Sequence, residues 1–363
     1  MVLRIEDAMA KAQSAAATPK GQGRAAAEAK GNLLVPVENW LQDVSAPQWV
    51  VDGIVQQGYL YAVTAITNHG KTAITLLLGM CVASGRRFCG RDIRQGGVLI
   101  LCGENPDGFR TRLRATLAAM EMDESAIAGR VVVLHQALPL RMYLDDIKAE
   151  AKALGIEYNL VLVDTHASYF TGDDEDSNIQ ARDAAMDLRE LTELPGRPAV
   201  LANCHPTKSA THDSLLPRGG GAFLNEIDAN LTVWAEGETA VLHWQRKKRG
   251  PDFDPMPFEF HGTNVDEAGV QVPTVVAWPI SEVRAVELKR ERRERENRIL
   301  RALYDEPNGT IRQWVAACGW DPAKNISRVM RGLEKLKEAG LVEWHRGDYA
   351  LTARGKKEAA EIN

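Results

Sequence analysis

The sequence contains few cysteines and no long hydrophobic run, and each deficit excludes a class of protein. Its five cysteines are scattered over 363 residues without the paired spacing of a metal site, so reduced and mostly buried thiols are expected. No apolar stretch approaches the roughly 20 residues of a membrane-spanning helix. The N-terminus lacks the apolar core of a signal peptide, and no primase, nuclease or metal-finger signature is visible. We therefore expect a cytoplasmic protein that does not associate with membranes.

Composition and charge indicate a globular protein with an acidic body and a basic C-terminal end. The 45% hydrophobic and 26% charged residues are ordinary for a globular chain. At about 150 residues per domain, the length allows one large domain and a smaller one. The net charge of −5 excludes a uniformly basic surface, but residues 284–363 carry 18 Lys and Arg against 13 Asp and Glu. Nucleic acid is therefore expected at the C-terminal end.

Residues 65–72 read Ala-Ile-Thr-Asn-His-Gly-Lys-Thr between an apolar run and a helical pattern, which is typical of a phosphate-binding loop. Small residues let successive backbone N–H groups converge on phosphate oxygens at a helix N-terminus. Lys71 is expected to reach the β- and γ-phosphates of ATP, and Thr72 to offer its hydroxyl to Mg²⁺. Ala65 replaces the usual first glycine, which predicts a slightly different entry to the loop. The predicted nucleotide-binding residues are Ala65, Thr67, Asn68, His69, Gly70, Lys71 and Thr72.

Polar residues follow three further apolar runs, as expected where parallel strands end at a ligand crevice. Glu104 follows the first of these strands, and we expect it to orient and deprotonate the attacking water. Asp164 follows the second and should hold magnesium together with Thr72, while His205 follows the third and could sense the γ-phosphate. Two alternatives stay open: Glu104 as a helix N-terminal acid, and His205 as a structural residue.

Strand and helix patterns alternate through the body of the chain, which predicts an α/β fold with a mostly parallel sheet covered by helices. The last two strands are closely spaced and predict a hairpin. The predicted strands are 97–103, 130–135, 158–164, 198–203, 229–235 and 239–246. The predicted helices are 71–84, 107–121, 143–154 and 178–192.

The C-terminal part of the chain predicts a small separate module. A highly charged and helical linker at 281–297 is followed by three helices, at 298–304, 310–318 and 324–339, and by a hairpin at 340–355. This pattern resembles a winged helix domain. The candidate DNA contacts are Lys324, Asn325, Ser327, Arg328 and Arg331 on the third helix, and Arg346 at the tip of the wing. The alternative is a module that packs on a protein partner.

The predicted organisation is therefore a disordered arm at 1–35, an ATPase domain at 36–280, the linker at 281–297, and the winged helix domain at 298–363.

The four motifs at 65–72, 102–106, 161–166 and 203–208 are similar to those of RecA-like P-loop ATPases of the RepA type, the DnaB-like hexameric replicative helicases of plasmids. The resemblance covers about residues 36–262. It implies that Glu104 is the catalytic carboxylate and that His205 couples the nucleotide state to DNA-binding loops. It also implies a hexameric ring with nucleotide between subunits, single-stranded DNA passing through the ring, and a basic finger residue from the neighbouring subunit. An alanine at the first loop position is usual in the DnaB type.

Two stretches could supply the finger. In 246–251, Arg-Lys-Lys-Arg-Gly-Pro, the residues Arg246 and Lys248 occupy the two basic places of the helicase finger in swapped order, and assignment within 246–249 stays open. Arg218, in a glycine-rich loop, could be a finger or a DNA contact in the central channel. Either stretch could instead be a solvated basic turn. The acidic segment 171–177 would repel phosphate backbones, so DNA is not expected there.

The sequence thus favours an ATP-hydrolysing, ring-forming DNA helicase or translocase of plasmid or phage replication. One rival is a RecA-like ATPase that is not a helicase, such as a recombination mediator or a defence motor. The other is a DNA-binding regulator for which ATP is only a ligand.

Overall fold

The computed structural model of the protein describes residues 34, 36–41, 46–345 and 348–362. The predicted arm at 1–35 therefore lies outside the described residues, apart from Leu34. The chain divides into two compact units between Pro279 and Ile280. Within the described residues, no helix has both the length and the hydrophobicity needed to cross a membrane.

The first unit contains eleven strands and six helices among the described residues. Its strands are β1 (Trp49–Val51), β2 (Val55–Gln56), β3 (Leu60–Thr64), β4 (Gly97–Cys102), β5 (Val131–Leu134), β6 (Tyr158–Asp164), β7 (Ala199–Cys204), β8 (Ala229–Glu236), β9 (Thr239–Trp244), β10 (Met256–Glu267) and β11 (Val270–Pro279). Its helices are α1 (Val37–Trp40), α2 (Lys71–Ser84), α3 (Pro106–Ala119), α4 (Leu140–Ala153), α5 (Asn178–Glu190) and α6 (Gly220–Glu226).

The main sheet has nine strands in the order β11-β10-β9-β8-β3-β7-β6-β4-β5. All neighbours from β8 to β5 pair in parallel, and β9, β10 and β11 continue the sheet in antiparallel pairing. The predicted α/β fold with a mostly parallel sheet is confirmed, as is the predicted hairpin of β8 and β9.

The central strands are continuously apolar because both faces of the sheet are covered. Successive side chains of a strand point to opposite faces. Accordingly, Leu160 and Leu162 of β6 pack in the core that contains α2 and α3, while Val161 and Val163 pack in the core that contains α4 and α5. Such strands read as uninterrupted apolar runs, which made them predictable from the sequence.

The strand order also brings the functional residues together. In the sheet β3 lies beside β7, β7 beside β6, and β6 beside β4. Thr64 at the end of β3 pairs with Cys204 at the end of β7, and Asp164 at the end of β6 pairs with Cys102 of β4. The loops that follow these four strands therefore emerge at one edge of the sheet.

The long hairpin of β10 and β11 was not predicted. Its strands pair from Phe258 with Pro279 to Glu267 with Val270. Ala268 and Gly269 at the turn have φ values of 55° and 86°, a conformation typical of a tight hairpin turn. Most residues near the turn are exposed, so the strands lack the apolar runs of the central sheet.

The second unit contains α7 (Glu282–Asp305), α8 (Ile311–Ala317), α9 (Ile326–Glu338), β12 (Val342–His345), β13 (Asp348–Leu351) and α10 (Ala353–Glu361). The predicted linker is helical, but it continues without a break into the predicted first helix, so the two form the single helix α7. Helix α10 was not predicted. Ile299, Trp314 and Leu333 belong to a separate hydrophobic core in this unit.

A buried carboxylate holds the start of β3 in place. Asp228 is 1% exposed, and its Oδ2 accepts hydrogen bonds from Leu60 N at 2.9 Å and Arg189 Nη1 at 3.0 Å. Its Oδ1 lies 2.9 Å from Nη1 of Arg249. One side chain therefore joins α5, β3 and the segment after β9.

Replacing Asp228 by Ala should lower the free energy of unfolding by about 3 kcal/mol, because two guanidinium groups and a buried backbone N–H lose their acceptor. Urea denaturation followed by circular dichroism measures this change. Asp213→Ala is the matched control, since its side chain is 94% exposed and the expected change is below about 0.5 kcal/mol. Equal changes in the two variants would contradict the structural role of Asp228.

Candidate nucleotide-binding site

The loop after β3 adopts a conformation suited to phosphate binding. Asn68 and Gly70 have φ values of 67° and 78°, so the chain turns sharply before α2 begins at Lys71. Gly70 is the N-cap of α2, and no side chain caps this helix end. The first N–H groups of a helix have no partner within the helix, so this N-terminus can receive an anion.

Gly70 is also confined by the hairpin of β10 and β11. A Cβ atom built on Gly70 would lie 1.9 Å from Cζ of Phe260. Neither the positive φ nor the space beside the ring allows a larger residue. The ring of Phe260 therefore covers the loop at Gly70. This contact was not predicted from the sequence.

Lys71, which was expected to reach the phosphates, is a buried residue of the cleft. It is 6% exposed, and its Nζ donates to Cys204 O at 3.1 Å. Burial lowers the pKa of Lys71, and the nearby Asp164 and Glu104 oppose that shift. A carbonyl therefore holds the ammonium group at the floor of the site, where a bound triphosphate would supply the missing negative charge.

Asp164 is the centre of a hydrogen-bond network. Its Oδ1 accepts from Thr72 Oγ1 at 3.0 Å and from Asn203 Nδ2 at 2.8 Å. Burial raises the pKa of Asp164, while these two hydrogen bonds and Lys71 favour the carboxylate. Asn203 Nδ2 also lies 3.0 Å from Thr75 Oγ1, so the network connects β6, β7 and α2.

The oxygen donors of this network fit a magnesium ion. Mg²⁺ prefers hard oxygen ligands and is held by few protein groups together with substrate phosphates. Thr72 and Asp164 provide a hydroxyl and a carboxylate in direct contact. When bound, the ion would neutralise phosphate charge. Among the described residues, no group of three or more His, Cys, Asp or Glu side chains could hold a metal ion.

Glu104 and His205 border the same cleft. Glu104 is exposed and precedes Asn105, whose side chain caps α3 by accepting from Gly108 N at 3.0 Å. Capping is therefore done by Asn105, and the Glu104 carboxylate remains at the cleft. His205 is partly buried. Its pKa is lowered mainly by burial and also by the positive charge of Lys71. A neutral imidazole at the end of β7 can donate a hydrogen bond to phosphate without adding charge.

The cleft has a volume of about 560 Å³, within the range of small-molecule sites. Of the predicted site residues, it brings together Thr67, Asn68, His69, Gly70, Lys71, Thr72, Glu104, Asp164 and His205. Ala65 was predicted to bind nucleotide, but it is completely buried and does not line the cleft. The reason is the loop geometry, which turns toward the cleft only after Ala65.

The candidate finger residues do not enter this cleft. Arg218 lies beside it, with Nη1 bonded to Glu175 Oε2 at 2.9 Å. Arg246 is exposed, and Lys248 Nζ lies 2.5 Å from Asp252 Oδ2. The segment 246–249 follows β9, which runs antiparallel to β8, so it lies at the sheet edge opposite the phosphate loop. The cations of 246–249 therefore lie away from the cleft that contains Lys71 in the same chain.

The structure adds Arg112 to the site. This residue lies on α3 and lines the cleft, and its Nε is buried without a hydrogen-bond partner among the described residues. Arg110 and Arg114 on the same helix instead pair at the surface with Asp107 and Glu124. Arg112 shares a helix face with Gly108 and Phe109, which also line the cleft, because residues three and four apart are neighbours on a helix. The sequence alone did not indicate which face of α3 lines the cleft.

The predicted DNA contacts of the second unit lie at the start of α9. Lys324 and Asn325 precede the helix, and Lys324 Nζ is 3.9 Å from Asp321 Oδ2. Arg328 lies over the Trp320 ring at 5.0 Å. Arg331 is exposed on the same side of the helix as Ser327, whose carbonyl accepts from Arg331 Nε. Arg346 is outside the described residues.

The parallel sheet, the loop 65–72 and the acids at two strand ends define an α/β P-loop ATPase with a RecA-like fold. The sequence profile of the AAA domain matches residues 27–211. This match covers just over half of the chain, and the chain belongs to the AAA domain family. No curated protein shows significant similarity to the chain. The protein is therefore a nucleotide-binding ATPase.

Replacing Arg112 by Gln should lower kcat/KM for ATP by about tenfold to a hundredfold, because a buried donor beside the phosphates would lose its charge. A coupled-enzyme assay of ATP turnover measures the change. Arg110→Gln and Arg114→Gln remove the same charge from the solvent face of α3 and should stay within about twofold of wild type. Similar losses in all three variants would mean that general charge, rather than position, is responsible.

Proposed function

We propose that the protein is an ATP-driven, ring-forming motor that moves on single-stranded DNA, with helicase activity in plasmid or phage replication. The observation that carries the proposal is the convergence of Lys71, Asp164 and Glu104 on one cleft. A module that only binds nucleotide does not need a carboxylate placed to activate water.

Each of the cleft residues has a separate role in ATP hydrolysis. Lys71 and the N-terminus of α2 bind the phosphates, and Thr72 and Asp164 would hold Mg²⁺. Glu104 orients the water and accepts its proton, since it is the exposed carboxylate of this cleft. His205 contacts the terminal phosphate and reports its loss to the loop that follows β7.

A second copy of the chain would complete the site. Nucleotide hydrolysis is accelerated by a cation that contacts the departing phosphate from a neighbouring subunit. The cations at 246–249 lie away from their own cleft. Arg249 is paired with the buried Asp228 and Lys248 with Asp252. Arg246, exposed and with a φ of 68°, is therefore the best candidate finger.

DNA contacts are proposed for two regions. The loop 205–219 joins the His205 position to α6 and carries the basic residues Lys208 and Arg218. In the second unit, three helices followed by a two-stranded hairpin support the assignment of a winged helix. Its α9 presents Ser327, Arg328 and Arg331 to solvent, as a DNA-reading helix would.

ATP turnover with and without single-stranded DNA tests the motor function, with particle mass measured on the same sample. Wild type should form a particle several times the monomer mass, and DNA should raise its turnover severalfold. Glu104→Gln should lower turnover by about a hundredfold or more while ATP still binds, because the water loses its base. Asp107→Asn, at the exposed start of α3, is the control and should keep wild-type turnover.

Three results would identify a rival function. A monomeric protein with full ATP turnover and no response to DNA would be an ATPase that is not a helicase. DNA-stimulated turnover without strand displacement would indicate a translocase or a recombination mediator. A Glu104→Gln chain with normal DNA-dependent activity would indicate a regulator that only binds ATP.

The winged helix assignment predicts that Arg331→Gln weakens binding of duplex DNA about threefold to tenfold and reduces its salt dependence by about one phosphate contact. Fluorescence anisotropy across a salt series measures both changes. Lys337→Gln removes a charge from a different side of the same helix, where Lys337 pairs with Glu334, and should have little effect. Unchanged binding in Arg331→Gln would favour a protein partner for this unit.

A further inference from the structure

The acidic segment 173–176 contacts the basic loop 205–219. Arg218 Nη1 donates to Glu175 Oε2 over 2.9 Å, and Lys208 Nζ lies 3.7 Å from Asp176 Oδ2. Lys208 and Arg218 are the only lysine and arginine of this loop. Both cations that the proposed DNA contact would use are therefore paired with carboxylates of the same chain.

Arg218 retains hydrogen-bonding capacity in this arrangement. Its Nε is buried and has no hydrogen-bond partner within the described part of the chain. Glu175 therefore satisfies only part of the guanidinium group. Arg218 N also donates to His205 O at 2.9 Å, which places this residue directly beside the proposed sensor of the γ-phosphate. The Arg218 side chain as a whole is 38% exposed, so a second anion could reach its terminal N–H groups.

The four acids of the segment have two different roles. Asp173 Oδ1 accepts from Gln180 Nε2 at 2.6 Å, and Asp174 Oδ1 accepts from Asp176 N at 3.0 Å, so these two carboxylates shape the segment itself. Glu175 and Asp176 face the loop cations instead. Of these four neighbouring carboxylates, the first two make contacts within their own segment and the last two contact the loop 205–219.

We propose that Glu175 and Asp176 form an internal competitor for the phosphate backbone of single-stranded DNA. Without DNA they occupy Arg218 and Lys208, and a bound strand displaces them and takes both cations. The Lys208 and Asp176 side chains are 84% and 65% exposed, so this pair is weak and easily exchanged. The inference rests on the proposed DNA contact of the loop. It also gives the segment 171–177 a role other than simple repulsion of DNA.

The experiment compares two double variants of the full chain that remove the same charge. Glu175→Gln with Asp176→Asn frees the loop cations, whereas Asp173→Asn with Asp174→Asn leaves both cross-loop pairs in place. Binding of a fluorescently labelled oligothymidylate is measured by anisotropy over a salt series without nucleotide. The first variant should bind about threefold to tenfold more tightly than wild type. Its plot of log K against log salt should be steeper, because salt weakens the internal ion pairs that compete with DNA in the wild type, so the advantage of the variant shrinks as salt rises.

The second double variant should stay within about twofold of wild type, because only long-range repulsion is reduced. Equal tightening in the two double variants would overturn the inference while leaving the proposed function intact. A wild-type chain that binds no oligonucleotide would overturn the DNA contact and the inference together. Thermal unfolding checks the fold of each variant. If the first double variant unfolds, Asp176→Asn alone serves in its place, with a smaller tightening expected and no tightening counting against the competitor.

Discussion

The hydrogen bonds that join Asp164 to Thr72 and Asn203 are the interaction on which the site depends. They connect the start of α2 to the ends of β6 and β7, at the edge where the phosphate loop opens. Burying a carboxylate is costly unless donors compensate. Here a hydroxyl and an amide donate to the carboxyl group and a nearby ammonium group attracts it, so the side chain that would hold magnesium is kept in position before any ligand arrives.

The same network explains the position of Lys71. Its Nζ bonds to the carbonyl of Cys204, one residue beyond Asn203. The ends of β6 and β7 therefore fix both a carboxylate and an ammonium group. A bound triphosphate would replace this carbonyl as the partner of the Lys71 ammonium group.

Much of this arrangement was predictable because the sequence signals were local. The strands β4, β6 and β7 are short apolar runs followed at once by polar residues, and the limits predicted for β6 match the structure. Glu104 and Asp164 follow from such runs because parallel strands end at one edge. The limits of α9 differed by one or two residues at each end, which is common where helices begin and end.

Other residues could not be located from local signals. Arg110, Arg112 and Arg114 have similar neighbours in the sequence, and only the packing of α3 determines which of them faces the cleft. Phe260 lies 190 residues beyond Gly70 and reaches it through a hairpin of partly exposed strands. The pairing of Arg249 with the buried Asp228 likewise depends on where the chain folds back. Contacts between distant segments leave no periodic pattern in the sequence.

Gly70 is required for two reasons, the conformation of the phosphate loop and the packing of Phe260 from the hairpin of β10 and β11. In a loop open to solvent, alanine at such a position would meet only a backbone cost. Here the aromatic ring also fills the volume where a methyl group would lie. The antiparallel extension of the sheet and the anion-binding turn are consequently coupled through the absence of a single side chain, and any larger residue at position 70 would require the ring of Phe260 to move.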